Sequence, residues 1–135
     1  MKNLNKEPAL IFNALVNKMA GETAAKIDNT GETFMPVHIE KIGTDIEFVC
    51  HDVDIYSIAH YFEQNGDLVP DPDMTFAVCR ANSLLIWPLT FQDMYNYNEG
   101  VYIDRGKWFI NRSQQAFQQS FANKWLKNIK HQQSI

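Results

Sequence analysis

Between residues 113 and 130 the chain contains neither Gly nor Pro, and Phe117, Phe121 and Trp125 recur there at four-residue spacing. That spacing predicts a long amphipathic helix beginning at Asn111 or Ser113 and ending near Lys130, its apolar stripe widened by Ala122, Leu126 and Ile129. The opposite face is rich in Gln and Asn, and Lys124, Lys127 and Lys130 lie in the last turns, where cations suit the negative end of the helix dipole. So wide a stripe has to be covered, and a chain of 135 residues offers one plausible cover, a sheet built from its own middle.

The middle has that character. Residues 7–20 read as a first helix, with Pro8 in the first turn, Ile11, Leu15 and Met19 at helical spacing, and Gly21 as its stop. Residues 21–34 form a turn-rich connection around a short strand at 24–27. From Met35 the period changes to two: Val37, Ile39 and Lys41, then Ile46, Phe48 and Cys50, with a hairpin turn expected at Gly43-Thr44. Residues 55–62 read as a strand, a short helix over 54–62 being the competing reading, and Asn65-Gly66-Asp67 is a tight hairpin signal. Met74, Phe76 and Val78 alternate, and Ala81-Asn82 turns the chain into a strand at 84–89 that pairs with them. Pro70 and Pro72 cannot donate ladder hydrogen bonds, so residues 69–73 belong on an edge, a bulge or a strand entry. Residues 91–100 read as a polar loop lying over the sheet, and Val101, Tyr102 and Ile103 as a last short strand. The expectation is one α+β domain spanning 1–135, an antiparallel sheet of four to six strands with the N- and C-terminal helices packed on one face.

Composition removes several classes. With 45% hydrophobic and 21% charged residues the chain is neither disordered, collagen-like nor disulfide-dense. Its longest apolar stretch, 84–89, falls far short of the ~20 residues of a membrane span, and its first seven residues lack a signal peptide's apolar run. A cytoplasmic protein without membrane contact is expected, in which Cys50 and Cys79 remain thiols. The formal net charge of -4 conceals a division, because all 16 acids lie in residues 1–104 while residues 105–135 carry six bases. Between Lys41 and Arg80 stand eight acids without a Lys or Arg: Asp45, Glu47, Asp52, Asp54, Glu63, Asp67, Asp71 and Asp73. They read either as a solvated surface or as a face for a cationic partner or a metal.

The run His60-Tyr61-Phe62-Glu63-Gln64-Asn65-Gly66-Asp67-Leu68, followed by Asp71-Pro72-Asp73-Met74-Thr75-Phe76, resembles an uncharacterised domain family found in proteins of bacterial conjugative elements and phages. Lys26-Ile27-Asp28-Asn29, Phe34-Met35-Pro36, the segment from Trp87-Pro88-Leu89 to Tyr95, and Phe121-Ala122-Asn123-Lys124-Trp125-Leu126-Lys127-Asn128-Ile129 are similar to that family in the same order, over about residues 8–131. Gly31-Glu32-Thr33 departs from the Pro/Gly turn of the pattern. The resemblance implies a mobile element in a bacterial host as habitat, and brings no activity or catalytic residues with it.

Five constellations could carry function. His51, Asp52, Asp54 and His60 offer N and O donors for Zn or Mn in a metal-dependent hydrolase, although neighbours on a strand point to opposite faces. Asp67, Asp71 and Asp73 could hold Mg or Ca, but they lack the EF-hand spacing and also suit turn architecture. A nuclease core fails for want of a Glu-x-Lys behind an acid, and Cys50 beside His51 makes no nucleophile pair. Arg105, Lys107, Trp108, Arg112, Lys124, Lys127 and Lys130 combine basic and aromatic groups suited to nucleic acid. The acidic window, finally, could imitate DNA toward a host defence protein. The reading adopted is a non-catalytic accessory protein that needs no cofactor and meets a protein or nucleic-acid partner through Asp67, Asp71, Asp73, His60, Arg112, Lys124 and Lys127. A metal-dependent hydrolase or nuclease (His51, Asp54, His60) and a DNA mimic are the alternatives.

Overall fold

In a computed structural model describing residues 1–31 and 33–135, the chain runs α1 (Lys6–Asn17), β1 (Ala24–Ile27), β2 (Val37–Phe48), β3 (His51–Gln64), β4 (Asp67–Cys79), β5 (Ile86–Gln92), β6 (Tyr97–Glu99), β7 (Val101–Asp104), β8 (Lys107–Ile110) and α2 (Arg112–Gln133). Glu32, in the Gly31-Glu32-Thr33 segment, lies outside the described residues. Strands β1 to β6 form one antiparallel sheet in sequence order, and β7 with β8 form a separate hairpin. This is the α+β architecture the periodicities predict, with six strands in the main sheet. Among the described residues no helix is long and apolar enough to cross a membrane.

Both helices cover the same face. Phe12 and Leu15 of α1 and Trp125, Leu126 and Ile129 of α2 close over Val37, Ile39, Tyr56, Ile58, Met74, Phe76 and Phe91, the inward residues of four strands. Asn111 caps α2 by accepting from the Gln114 backbone N–H at 3.2 Å, which satisfies one of the unpaired donors of the first turn. The inward stripe of α2 differs from the aromatic one in the sequence. Steps of four residues drift by about 40° on a helix of 3.6 residues per turn, so Trp125 is buried, Phe121 half-buried, and Phe117 48% exposed with its ring 5.4 Å from Phe91. Three glutamines join the buried stripe: Gln115 exchanges hydrogen bonds with the Lys2 backbone at 2.5 and 2.9 Å, Gln118 donates to the Asn98 carbonyl, and Gln133 donates to the Met35 carbonyl and accepts from Asn29 N–H. Each amide offers a donor and an acceptor, so these side chains can bind irregular backbone that leucines could only exclude from water.

The hairpin expected at Gly43-Thr44 is instead a pair of register shifts inside one 12-residue strand, and the reversal falls at Val49 and Cys50. Gly43 is tight against its neighbours, since a Cβ there would lie 2.7 Å from Ile46 Cδ1 and 3.1 Å from Ile55. The turn chemistry of Gly43-Thr44-Asp45 serves a bulge, which turn-forming residues also favour. Residues 91–100 likewise depart from the expected polar loop: Phe91 and Gln92 end β5, and β6 pairs back on it across a turn in which Asp93 accepts from the N–H of Tyr95 and Asn96. Beyond Ala59 in β3 and Asp73 in β4 the two strands have only each other as partners, so they project as a ribbon closed by Asn65 (φ +53°) and Gly66 (φ +86°), the doubly positive pair expected of that dipeptide. Pro70 and Pro72 lie on this ribbon, where no fifth strand asks them for a hydrogen bond.

Candidate functional site

The second face of the sheet is divided. Toward the β2–β3 turn it carries Ile46, Phe48, Val53, Ile55, Ala77, Cys79, Trp87 and Leu89, and the β7–β8 hairpin covers them with Val101 and Trp108. Trp108 sits edge-on to Phe48 at 4.8 Å, and Phe48 in turn meets Trp87 at 5.4 Å. Toward the β3–β4 ribbon the same face is polar and belongs to neither hydrophobic cluster. Two adjacent rungs cross all six strands in register there. One runs Ala24, Glu40, Ser57, Thr75, Thr90, Glu99; the next runs Lys26, His38, Ala59, Asp73, Gln92, Tyr97. Residues paired across antiparallel strands share a face, and only the two alanines of these rungs lack a polar group. The platform is half-buried at its centre (Ser57, Asp73, Thr75, Thr90, Gln92) and exposed at its rim (Lys26, Glu40, Tyr97, Glu99).

Asp73 is the pivot. Its carboxylate accepts from the Ser57 hydroxyl at 2.8 Å, and Thr75 and Thr90 share a hydrogen bond of 2.5 Å beside it. Burial pushes the Asp73 carboxyl above the usual range, Glu40 adds to the rise by charge repulsion, and the Ser57 hydrogen bond acts against it. The two flanking phenols are raised as well, Tyr61 by burial and then the charges of Asp73 and Glu40, Tyr97 by burial and then chiefly Glu99. His38, whose ring stands edge-on to Tyr61 at 5.0 Å, is lowered by burial and then by Lys26 and His60. The result is a flat array of hydroxyls, amide and carboxyls whose central acid takes up a proton more readily than a solvated aspartate. Such an array suits a ligand surface rich in hydrogen-bond donors.

The residues singled out in the sequence are scattered around this platform. Asp73 is in it, Asp67 is exposed at the ribbon tip, and Asp71 is half-buried at the ribbon base, where its charge acts on His60. His60 itself is buried on the helix side, its Nδ1–H donating to the Pro36 carbonyl at 3.0 Å and its ring 5.5 Å from Trp125; burial lowers its pKa, with the Pro36 bond and Asp71 opposing. Asp54 is occupied by Arg80 at 3.1 Å and Lys41 at 3.4 Å, and it also accepts from the Asp45 N–H. His51 is exposed with its ring 5.2 Å from Trp87, nine residues and about 30 Å of extended strand from His60. Asp52 is exposed beside it. Among the described residues no three His, Cys, Asp or Glu side chains gather as metal donors. Of the eight acids, Asp45, Glu47, Asp52 and Asp54 lie toward the β2–β3 turn, Glu63, Asp67 and Asp71 on the ribbon, and Asp73 in the platform. Arg112, Lys124 and Lys127 are exposed on α2, Arg112 at its first turn beside the β7–β8 hairpin and Lys127 3.8 Å from Glu7.

Sequence reasoning found Asp73 and missed Ser57, Thr75, Thr90, Glu40, Tyr61, Tyr97 and Glu99. A signal was present, since the outward set of β3 changes from Val53 and Ile55 to Ser57 and that of β4 from Asp73 and Thr75 to Ala77 and Cys79. Only the register shows that these changes align. A family model described as Domain of unknown function (DUF6908) matches residues 10–135, nearly the whole chain. No curated protein and no solved structure matches it.

Proposed function

The chain belongs to the DUF6908 family, and we propose that it is a non-catalytic accessory protein that binds a protein partner through the polar platform centred on Asp73. The observation that carries this reading is the pair of in-register polar rungs left uncovered beside an apolar half-face that the β7–β8 hairpin covers. A face with Glu40, Asp73 and Glu99 against a single Lys26 repels phosphate, so a protein surface presenting donors fits it better than nucleic acid does. The resemblance of the ribbon segment, residues 60–76, to domains of conjugative elements and phages supports a place among the accessory proteins of a bacterial mobile element, in the cytoplasm of the host.

The test is affinity capture from such a host with three proteins: the intact chain, Asp73→Lys/Thr90→Lys on the platform, and Lys124→Glu/Lys127→Glu on α2. One partner is expected to be retained by the intact chain and the helix variant and lost by the platform variant at an unchanged melting temperature. Hydrogen exchange in the complex is expected to slow around residues 57, 73, 75 and 90. Retention by the platform variant together with loss by the helix variant would move the binding surface to the basic helix.

A further inference from the structure

Remote from the platform, beneath the open side of the β7–β8 hairpin, lies a groove of about 560 Å³. Its walls are Val49 of the β2–β3 turn and Val101, Trp108, Phe109 and Ile110 of the hairpin. Val101 and Trp108 close on the second hydrophobic cluster, but Val49 is 57%, Phe109 43% and Ile110 38% exposed, so the outer walls present apolar surface to water. Met1, Lys2, Arg112 and Gln115 also line it, and among the described residues no Asp or Glu does. Among the described residues neither Lys2 nor Arg112 belongs to an ion pair: the acids that do, Asp54 and Glu7, are held by Lys41, Arg80 and Lys127. Gln115 at the base of the groove has its amide engaged by the Lys2 backbone, which fixes the N-terminal segment as one wall.

We propose that this groove binds a small apolar anion, of which a medium-chain carboxylate is the type: an alkyl body against Val49, Trp108 and Ile110 and a carboxylate between Lys2 and Arg112. The charge pattern selects the sign of the head group, since two unpaired cations and no acid meet at an apolar slot. Its volume lies within the range of pockets that hold one small molecule, which favours a free carboxylate over a length of polypeptide.

The experiment titrates the intact chain with decanoate, decanol and decyltrimethylammonium, below the micelle thresholds of the two ions and the solubility limit of the alcohol, read by tryptophan fluorescence and by calorimetry. Saturable one-to-one binding of decanoate is expected, with the alcohol weaker and the cation weaker still. Charged hydrogen bonds of this kind correspond to about a tenfold loss of affinity in Arg112→Gln or Lys2→Gln. Because Arg112 begins α2, each variant is checked for its melting temperature. Ile110→Glu, which sets a carboxylate in the slot without touching either cation, is expected to abolish decanoate binding and to strengthen binding of the ammonium. Equal affinity for all three probes, absence of binding to millimolar decanoate, or preference for a single-stranded oligonucleotide lost in the same Arg112 and Lys2 variants would each overturn the proposal. None of these readouts depends on the platform, so failure here leaves the platform's own test intact.

Discussion

The two halves of the sheet's second face are made by the same strands and meet different fates. Where β3 and β4 present Val53, Ile55, Ala77 and Cys79, a hairpin late in the chain folds back and removes them from water; two residues further along the same strands, Ser57, Asp73 and Thr75 stay partly open. Burying apolar surface stabilises by about 25 cal/mol per Å², whereas burying hydroxyls and carboxyls without partners costs free energy, so intramolecular cover goes to the first half and the second is left for solvent or a partner. The lesson is that a sheet need not be polar or apolar by face; it can change halfway along its strands, and the boundary marks where the fold stops and the binding surface begins.

The sharpest way to break this comparison is truncation in the covered half. Trp87→Ala should cost about 3–5 kcal/mol in chemical denaturation, because a buried ring packed on Phe48 leaves a cavity, while Thr75→Ala or Ser57→Ala on the platform should cost about 1 kcal/mol or less. Equal losses in the two halves would erase the distinction. Next in size is Gly100→Ala, at the link where the chain leaves the main sheet for the covering hairpin. A Cβ there would lie 2.5 Å from Gln118 Oε1 and 3.0 Å from the Gln115 Cα, so about 1–3 kcal/mol of overpacking is expected, with hydrogen exchange increasing in residues 101–110 before it does in β3 and β4.

Two pH effects are smaller and of opposite sign. His60 and His38 are held below 6.5 in the folded chain, so the unfolded chain takes up protons that the folded one refuses, and stability should be lost as pH falls from 6.5 toward the folded values. In His60→Asn, whose side-chain amide can still donate to the Pro36 carbonyl, a melting-temperature profile over pH 4–7 should be flatter than that of the intact chain. Asp73 is raised, so the folded state holds that proton more tightly and its contribution to stability falls as pH climbs from 3.8 through the raised value. Asp73→Asn should therefore melt slightly higher at pH 7 and no higher at pH 3. A lower melting temperature at pH 7 would mean that the ionised carboxylate is a net stabiliser of the platform, contrary to its burial.

Much of the framework is readable without coordinates. The last helix and the Asn65-Gly66 reversal follow from local chemistry, because a helical period or a two-residue turn needs only neighbours in sequence. The reading failed where two structures share one local signature. Gly43-Thr44-Asp45 suits a turn and a bulge equally, and the choice fell to the packing of Ile46 and Ile55 against a residue without a Cβ. Strand β8, with Trp108 and Phe109, is too short at four residues to show a period, and its pairing with β7 is what defines it. Gln115 and Gln118 belong by residue type to the polar face expected of the helix, although they continue the series Ala122, Trp125, Leu126 and Ile129.

Residue order alone determined both helices, the alternating central strands, the α+β class and the placement of both helices on one side of a sheet, since hydrophobic period is a property of short windows. Tertiary structure decided the register that lines Glu40, Ser57, Thr75, Thr90 and Glu99 into one rung, the fold-back of β7–β8 over only half a face, and the separation of His51, Asp54 and His60. These depend on pairing between residues far apart in the chain, where a shift of one position sends every side chain to the other face of the sheet.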